Sequence, residues 1–589
     1  MKKLSFLLAI LVLLSAFSMA ACNKNEVEET APQGSMPEAT TPEITTPETT
    51  TPEVTTPEVE EPLLDPTLSI LAKDIFGYEI VSAKSSSEEA DKLTKELQQT
   101  IQNTFGLPIS LKTENAYNKK QYEIIIGDTN REESELFLAN LRWDDYGYGM
   151  VGDKLVIAGK NEDGTLKALR AFIEYVNQFD GGDVFFANSE QCMIREQYAF
   201  DTITINKMSV GELSIVCNTQ SLLGAAYHIR DSIIKACGIA MPIVTDEDVK
   251  TGDKLIIIGN SAHVSQTLID EWQRTYVGRD CGYIGADSNT LWLNANTARG
   301  FWTVAQEVAI QSSGKGGDAV TFSGGNIYES NGVTAMSFNL MAGIQPNDKR
   351  VDRVIEMILN YRPSVIGVQE ATDTWIALLE QRLAGIYTVV GEGRNADGGD
   401  EHSAILYLAE EFDCLESGTK WLSDTPDIKG TKFEASHYPR IMTYALLSRK
   451  GDGKQFLHVN THLDYVTKPE EEATQVAQIN VLLSEIAKFS NVPAIITGDF
   501  NATADSLVYQ SVTHAGYTDV IDYIPAIDRE PTYHALMGTT GEASHIDFIF
   551  SKGMEYEGCY RICNERIDNE NVSDHYPVFV ALSFRPEGK

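Results

Sequence analysis

Six short polar clusters punctuate the C-terminal part of this chain, each lying against an apolar run of strand length. In order they are Ser337-Phe338-Asn339, Gln369-Glu370, Asn460-Thr461-His462-Leu463-Asp464, Gly498-Asp499-Phe500-Asn501, His545-Ile546-Asp547 and Ser573-Asp574-His575. The apolar runs predict strands over 333–339, 365–369, 441–447, 456–461, 494–497, 546–550 and 578–582. Apolar residues at helical spacing predict helices over 348–361 and 470–489. Strands that alternate with helices must bury their faces in layers, and two stacked sheets flanked by helices satisfy this pattern. Polar residues stationed where strands stop then gather along one sheet edge, where a concave site can form.

The gathered residue types are carboxylates, carboxamides and two histidines, the equipment for metal-assisted attack of water on a phosphate ester. Glu370 follows the buried-strand pattern Val365-Ile366-Gly367-Val368-Gln369, so its carboxylate emerges where a strand ends. Hard divalent cations take oxygen ligands and retain waters, so one or two carboxylates plus an amide suffice to hold one. His462 and His575 frame the chemistry, because imidazole can carry a proton near neutral pH. Asp499 and Asn501 lie two apart at a strand end, which turns both side chains to one face. Alone, Glu370 would read as a helix cap before Asp373, and Asp499 as a turn residue. His437, His458 and His514 stand outside the clusters and read as surface or core histidines.

The order and content of the clusters resemble the endonuclease/exonuclease/phosphatase superfamily, with its DNase I-like fold, over about residues 333–585. The resemblance implies a four-layer α/β sandwich and a metal site completed around Glu370 by Asn339 and Asp574. The implied cofactor is Mg2+, with Mn2+ or Ca2+ as alternatives. It further implies that Asp547 partners His575, that Asp499 and Asn501 orient the attacking water and contact the phosphate, and that Asn501 faces His462 across a phosphate-sized gap. Trp421-Leu422-Ser423-Asp424-Thr425-Pro426 with His437-Tyr438-Pro439-Arg440-Ile441 is similar to secreted bacterial members and, more distantly, to nocturnin-type and deadenylase-type enzymes. That likeness implies substrate contacts from Arg440, whose forked donors suit phosphate. Pro531-Thr532-Tyr533-His534 resembles the Thr-Phe-His segment of the same group and implies a pocket role for His534. The chain departs from AP endonucleases at His462, where they carry tyrosine, and lacks the Pro-x-Trp-Cys-Asp-Arg segment of inositol polyphosphate 5-phosphatases. The expected activity is hydrolysis of phosphodiester or phosphomonoester bonds. The alternatives are a secreted nuclease, a sphingomyelinase-like phospholipase C, or a non-catalytic cell-surface binding lipoprotein.

The remainder of the 589 residues exceeds what one core can hold, since single cores stop growing near about 250–300 residues. Residues 1–21 carry the charged start, short apolar run and small-residue end of an export signal. Ala20-Ala21-Cys22 resembles a bacterial lipobox, which implies acylation of Cys22 and a lipid-anchored, extracytoplasmic protein. Residues 22–66 repeat Thr-Thr-Pro-Glu and cannot build a core, so they read as an extended spacer. Residues 67–200 and 201–330 share an element order and an Ile-Ile-Ile-Gly strand, which predicts two tandem α+β modules before a catalytic region over 331–589. Each copy is expected to run strand–helix–strand–strand–strand–helix. They resemble the small domain that precedes the catalytic domain of some glycoside hydrolases, implying a scaffold or a glycan or cell-wall contact. The formal charge of −38 opposes a sequence-independent grip on nucleic acid. The scattered cysteines other than Cys22 form no Cys-x-x-Cys pair and are expected to be free thiols.

Overall fold

The protein was analysed as a computed structural model that describes residues 67–585 apart from 107, 116–118, 180–181, 276, 278–280, 316, 330–331, 344–348, 469–470, 524–529 and 537–542. The export signal, Cys22 and the spacer lie outside the described residues. Among the described residues no helix is long and apolar enough to cross a membrane, and the seven cysteines found there are free.

The first part of the chain forms β1 (Glu79–Ser82), α1 (Glu88–Phe105), β2 (Ser110–Thr113), β3 (Glu123–Ile126), α2 (Glu132–Ala139), β4 (Tyr146–Val151), β5 (Lys154–Gly159), α3 (Glu162–Asn177) and β6 (Cys192–Ile194). Its sheet has the order β2-β1-β3-β5-β4-β6, with β2, β1, β3 and β5 parallel. The next part forms β7 (Leu213–Cys217), α4 (Leu223–Cys237), β8 (Ile243–Val244), β9 (Lys254–Ile258), α5 (Gln266–Arg274), β10 (Cys281–Ala286), β11 (Thr290–Ala295), α6 (Ala298–Ile310) and β12 (Asn326–Glu329). Its sheet order, β8-β7-β9-β11-β10-β12, has the same pattern of neighbours and directions. The Ile-rich strands β3 and β9 are covered on both faces, as continuous apolar runs in parallel sheets must be. Each unit holds one helix more than the expected order, and its sheet two strands more. The helices α2 and α5 are only 8 and 9 residues long, too short for a periodic pattern to stand out.

From Gly332 onward two six-stranded sheets stack. The elements are β13 (Gly332–Asn339), α7 (Lys349–Tyr361), β14 (Val365–Gln369), α8 (Asp373–Arg382), β15 (Tyr387–Val390), β16 (Ile405–Leu408), β17 (Phe412–Trp421), β18 (Ile441–Arg449), β19 (Gln455–His462), α9 (Glu472–Ile486), β20 (Ala494–Asp499), α10 (Leu507–His514), β21 (Thr518–Asp519), β22 (Asp547–Lys552), β23 (Met554–Ile562) and β24 (Val578–Phe584). One sheet runs β15-β16-β14-β13-β24-β23 and the other β17-β18-β19-β20-β22-β21. Val333, Val365, Leu447, Phe456, Ile495, Ile549 and Val580 fill the space between them. The second sheet is covered by α9 and α10 through Leu482, Val508 and Phe550. The first is covered by α7 and α8 in a core that continues into α4 and α6. This is a four-layer α/β sandwich. Trp302 of α6 lies 4.5 Å from the Phe579 ring and stacks on Tyr361 at 6.1 Å, so the second unit and the sandwich share one interior.

The sheets approach closely at Gly367 of β14. A Cβ there would stand 2.0 Å from Thr497 Oγ1 and 2.4 Å from Asn460 Oδ1, so only glycine fits. Asn460 bridges the gap. Its amide donates to the carbonyls of Val368 and Ala404 at 2.8 and 2.9 Å and accepts from Gln369 Nε2 at 2.7 Å.

Candidate active site

Four of the six clusters stand where strands leave one edge of the sandwich. Asn339 ends β13, Glu370 follows β14, His462 ends β19, and Asp499 ends β20. The other two stand where strands enter: Asp547 opens β22 and Asp574-His575 precede β24. Both entering strands run antiparallel to a leaving neighbour, which pairs Asp547 with Asp499 and brings all six to the same edge. His462 is likewise the register partner of Asp499.

The side chains interlock there. Asn339 Nδ2 donates to Glu370 Oε1 at 3.2 Å and to Asp499 Oδ2 at 3.0 Å, while its Oδ1 accepts the Met341 N–H at 2.9 Å. Glu370 Oε2 accepts the Ala342 N–H at 2.7 Å. His575 Nδ1 lies 2.8 Å from Asp547 Oδ2, and its Nε2 lies 3.8 Å from Asp499 Oδ2. Asn501 does not face His462 across a gap. Its Nδ2 touches His462 Nε2 at 3.0 Å, because the backbone turns left-handed at Asn501 (φ 47°) just past β20 and swings the amide inward. Met341 and Glu370 adopt the same costly region, at φ 54° and 53°.

Burial and charge set the protonation states. Burial and the neighbouring Asp547 carboxylate raise Asp499 to about 7. Burial works against a charged His575, but the carboxylates of Asp547, Asp499 and Asp574 override it and raise the imidazole to about 10. His462 moves well below its ordinary value through burial and the positive charge of Arg440, His575 and Arg394. Since Asn501 donates to its Nε2, this neutral ring carries its proton on Nδ1.

Two groupings could receive a cation. Ligand atoms of Asp499, Asp547 and His575 lie within 4.8 Å of one another, and with Nδ1 held by Asp547 the ligating atom of His575 would be Nε2. Glu370 and Asp574 supply the oxygen donors that a hard cation prefers. Burial raises the Asp574 carboxyl and the Glu370 charge raises it further, while the His575 charge lowers it. Asn339 adjoins them but turns its NH2, rather than its oxygen, toward Glu370.

The remaining expected residues, Arg440 and His534, are both buried. Arg440 is buried, donates from Nε to Asp464 Oδ1 at 3.3 Å and lies near enough to influence His462. His534 is withdrawn from the surface: it is fully buried and stacks on Tyr576 at 4.0 Å. The cause is the path of the chain. His534 N–H donates to the Asp574 carbonyl and Tyr576 N–H to that of Thr532, so the segment is threaded between the clusters and its ring is driven inward. Three contributors escaped the sequence reading. Thr532 Oγ1 accepts the N–H groups of Ile546 and Asp547, both at 3.1 Å. Arg394 lies 4.6 Å over the Tyr438 ring and pairs with Glu401, whose carboxyl is raised by burial against the lowering effect of Arg394. Arg394 and Glu401 come from an irregular stretch with no motif; only Thr532 lay inside a recognisable one.

Among solved structures, the chain is similar to an endonuclease/exonuclease/phosphatase from Bacteroides vulgatus, at 26% identity over 44% of this chain and 100% of that one, TM-score 0.40. It is also similar to the mannosyl-6-phosphatase of Bacteroides thetaiotaomicron, at 26% identity over 43% and 100%, TM-score 0.37. The human Nocturnin catalytic domain follows at 21% identity over 43% and 95%, TM-score 0.35. No curated protein matches the chain. The model of the Endonuclease/Exonuclease/phosphatase family matches residues 336–575 of this chain, the stretch that runs from β13 through the last polar cluster.

Proposed function

We propose that this protein is an exported, lipid-anchored hydrolase of phosphoric esters that depends on a divalent cation, Mg2+ foremost. The supporting observation is the convergence of Asn339, Glu370, His462, Asp499, Asn501, Asp547, Asp574 and His575 on one sheet edge from six separate segments. Glu370 and Asp574 would hold the cation, with the Asn339 oxygen as a third donor once it gives up the Met341 N–H, and the ion would neutralise phosphate charge there. Asp499 and Asn501 orient the attacking water, and the Asp499 carboxylate takes its proton. His575, kept cationic by Asp547, faces the charge that builds on the phosphoryl oxygens. His462, kept neutral and fixed by Asn501, completes the wall opposite. The acidic chain favours small esters over polyanionic nucleic acid, because long-range repulsion opposes approach of the latter. Acylated Cys22 and the Thr/Pro/Glu spacer would hold the globular part away from the membrane.

The test is a phosphoester panel of nucleic acids, sugar phosphates, cyclic phosphates and phospholipids, assayed with and without Mg2+. Glu370→Gln should raise the Mg2+ concentration needed for half-maximal rate. His575→Ala should leave that concentration in place and cut kcat by about a hundredfold or more. Normal turnover by His575→Ala, or full activity in a chelator, sinks the mechanism. Release of the Cys22→Ser protein from membranes tests the anchor.

A further inference from the structure

At the carboxyl ends of β7, β9 and β11 lies a cavity of about 710 Å3, within the about 300–1,000 Å3 usual for small-molecule sites. It is remote from the polar clusters. Its wall from the sandwich is the turn after β16, at Glu410, and the end of α7, at Arg362, both at the sheet edge opposite Glu370. The topology makes this the place for a ligand. Chain order diverges on either side of β7, toward β8 and toward β9, and the helices that follow lie on opposite faces, α4 in one core and α5 in another. Loops leaving adjacent parallel strands in opposite directions open a crevice at the switch point.

The lining shows what the crevice would take. Asn294 on β11 is 7% exposed, yet its Nδ2 has no partner among the described residues, while its Oδ1 accepts the Ala295 N–H at 3.0 Å. The fold does not require that amide. Register places Asn294 one residue after Leu293, which pairs with Ile258; the corresponding strand in the first sheet has Ile157 opposite Ile126 and then Ala158. Thr219 follows β7 and Asn260 follows β9 at the rim, and Trp272 of α5 and Phe301 of α6 flank the crevice from the two faces. Its charges are mutually compensated. Arg362 pairs with Glu410 at 2.8 Å, and Glu411 accepts from Arg299 at 3.0 Å and from Ser364 Oγ at 3.1 Å. The first turn of α6 is also engaged, because Thr297 Oγ1 accepts the Gly300 N–H.

We infer that this crevice is a binding site for a neutral saccharide. Amides and hydroxyls that both donate and accept match sugar hydroxyls, which do the same. Aromatic side chains offer apolar surface to the C–H face of a sugar ring. With no uncompensated charge, an anion such as phosphate gains nothing there. This site is independent of the reaction assigned to the sandwich edge.

Calorimetric titration of the full chain with maltotriose, cellotriose, mannotriose and triacetylchitotriose tests it, with inorganic phosphate and adenosine as competitors. At least one trisaccharide should bind saturably and perturb tryptophan fluorescence, undisplaced by phosphate or adenosine. Asn294→Ala should weaken binding tenfold or more, as should Trp272→Leu, with phosphoester turnover within twofold of wild type. Should Trp272→Leu lose its fold, Asn294→Ala and the wild-type fluorescence titration carry the test. Failure of all four trisaccharides to bind, displacement by adenosine or phosphate, or undiminished binding by Asn294→Ala overturns the assignment.

Discussion

His458 lies within β19, wholly buried, with Nε2 3.0 Å from Thr497 Oγ1 and no charged partner, so burial alone pulls its pKa down to about 3. In the unfolded chain the same ring titrates near about 6.5. Between those values the unfolded state binds the extra proton. The contribution to stability is therefore complete above pH 6.5 and is lost as pH falls through the window, at about 1.4 kcal/mol per pH unit. His458→Gln should flatten the fall in urea-unfolding free energy between pH 6 and pH 5 by close to that slope; an unchanged slope would assign the loss to other groups. His458 and His462 are four residues apart in one strand, and only the cluster around His462 separated them in the sequence. Arg394 and Glu401 had no such marker, because their place near His462 and Glu370 arises from the fold of an irregular segment.

Among the elements, β14 and β19 fix the spacing of the site. Gly367 lets them approach, and Asn460 fills the gap with an amide whose partners lie in both sheets. Asn460→Ala would take a donor from the carbonyls of Val368 and Ala404 and unseat Gln369, the residue before Glu370. The expected cost is about 3 kcal/mol of stability, with a loss of turnover of about ten- to a hundredfold from misplacement of Glu370. Chemical unfolding and single-turnover rates read the two effects separately, and an Asn460→Ala protein as stable and active as wild type would refute the bridging role. Strands with clean apolar runs, such as 365–369, were legible to the residue. The long edge strands β17 and β23 were not, because bulges at Cys414/Glu416 and between Tyr556 and Tyr560 break their alternation.

For the whole molecule, the site is divided between the two sheets. The first supplies Asn339 and Glu370 and leads Asp574 and His575 into β24, while the second supplies His462, Asp499, Asn501 and Asp547. Trp302, Tyr361 and Phe579 join the second unit to that sandwich, and Arg561 of β23 pairs with Asp231 of α4 at 2.5 Å, so these layers should unfold together. Heat inactivation of phosphoester turnover and loss of the near-ultraviolet dichroism should accordingly trace one curve, with midpoints within about 2 °C, since one cooperative core governs both. Activity that outlives the dichroism would disprove a shared core. The close contact at Gly367 thus acts as a quality check on the fold: a chain whose sheets have slid or parted is silent, and every molecule that turns over has vouched for its own assembly.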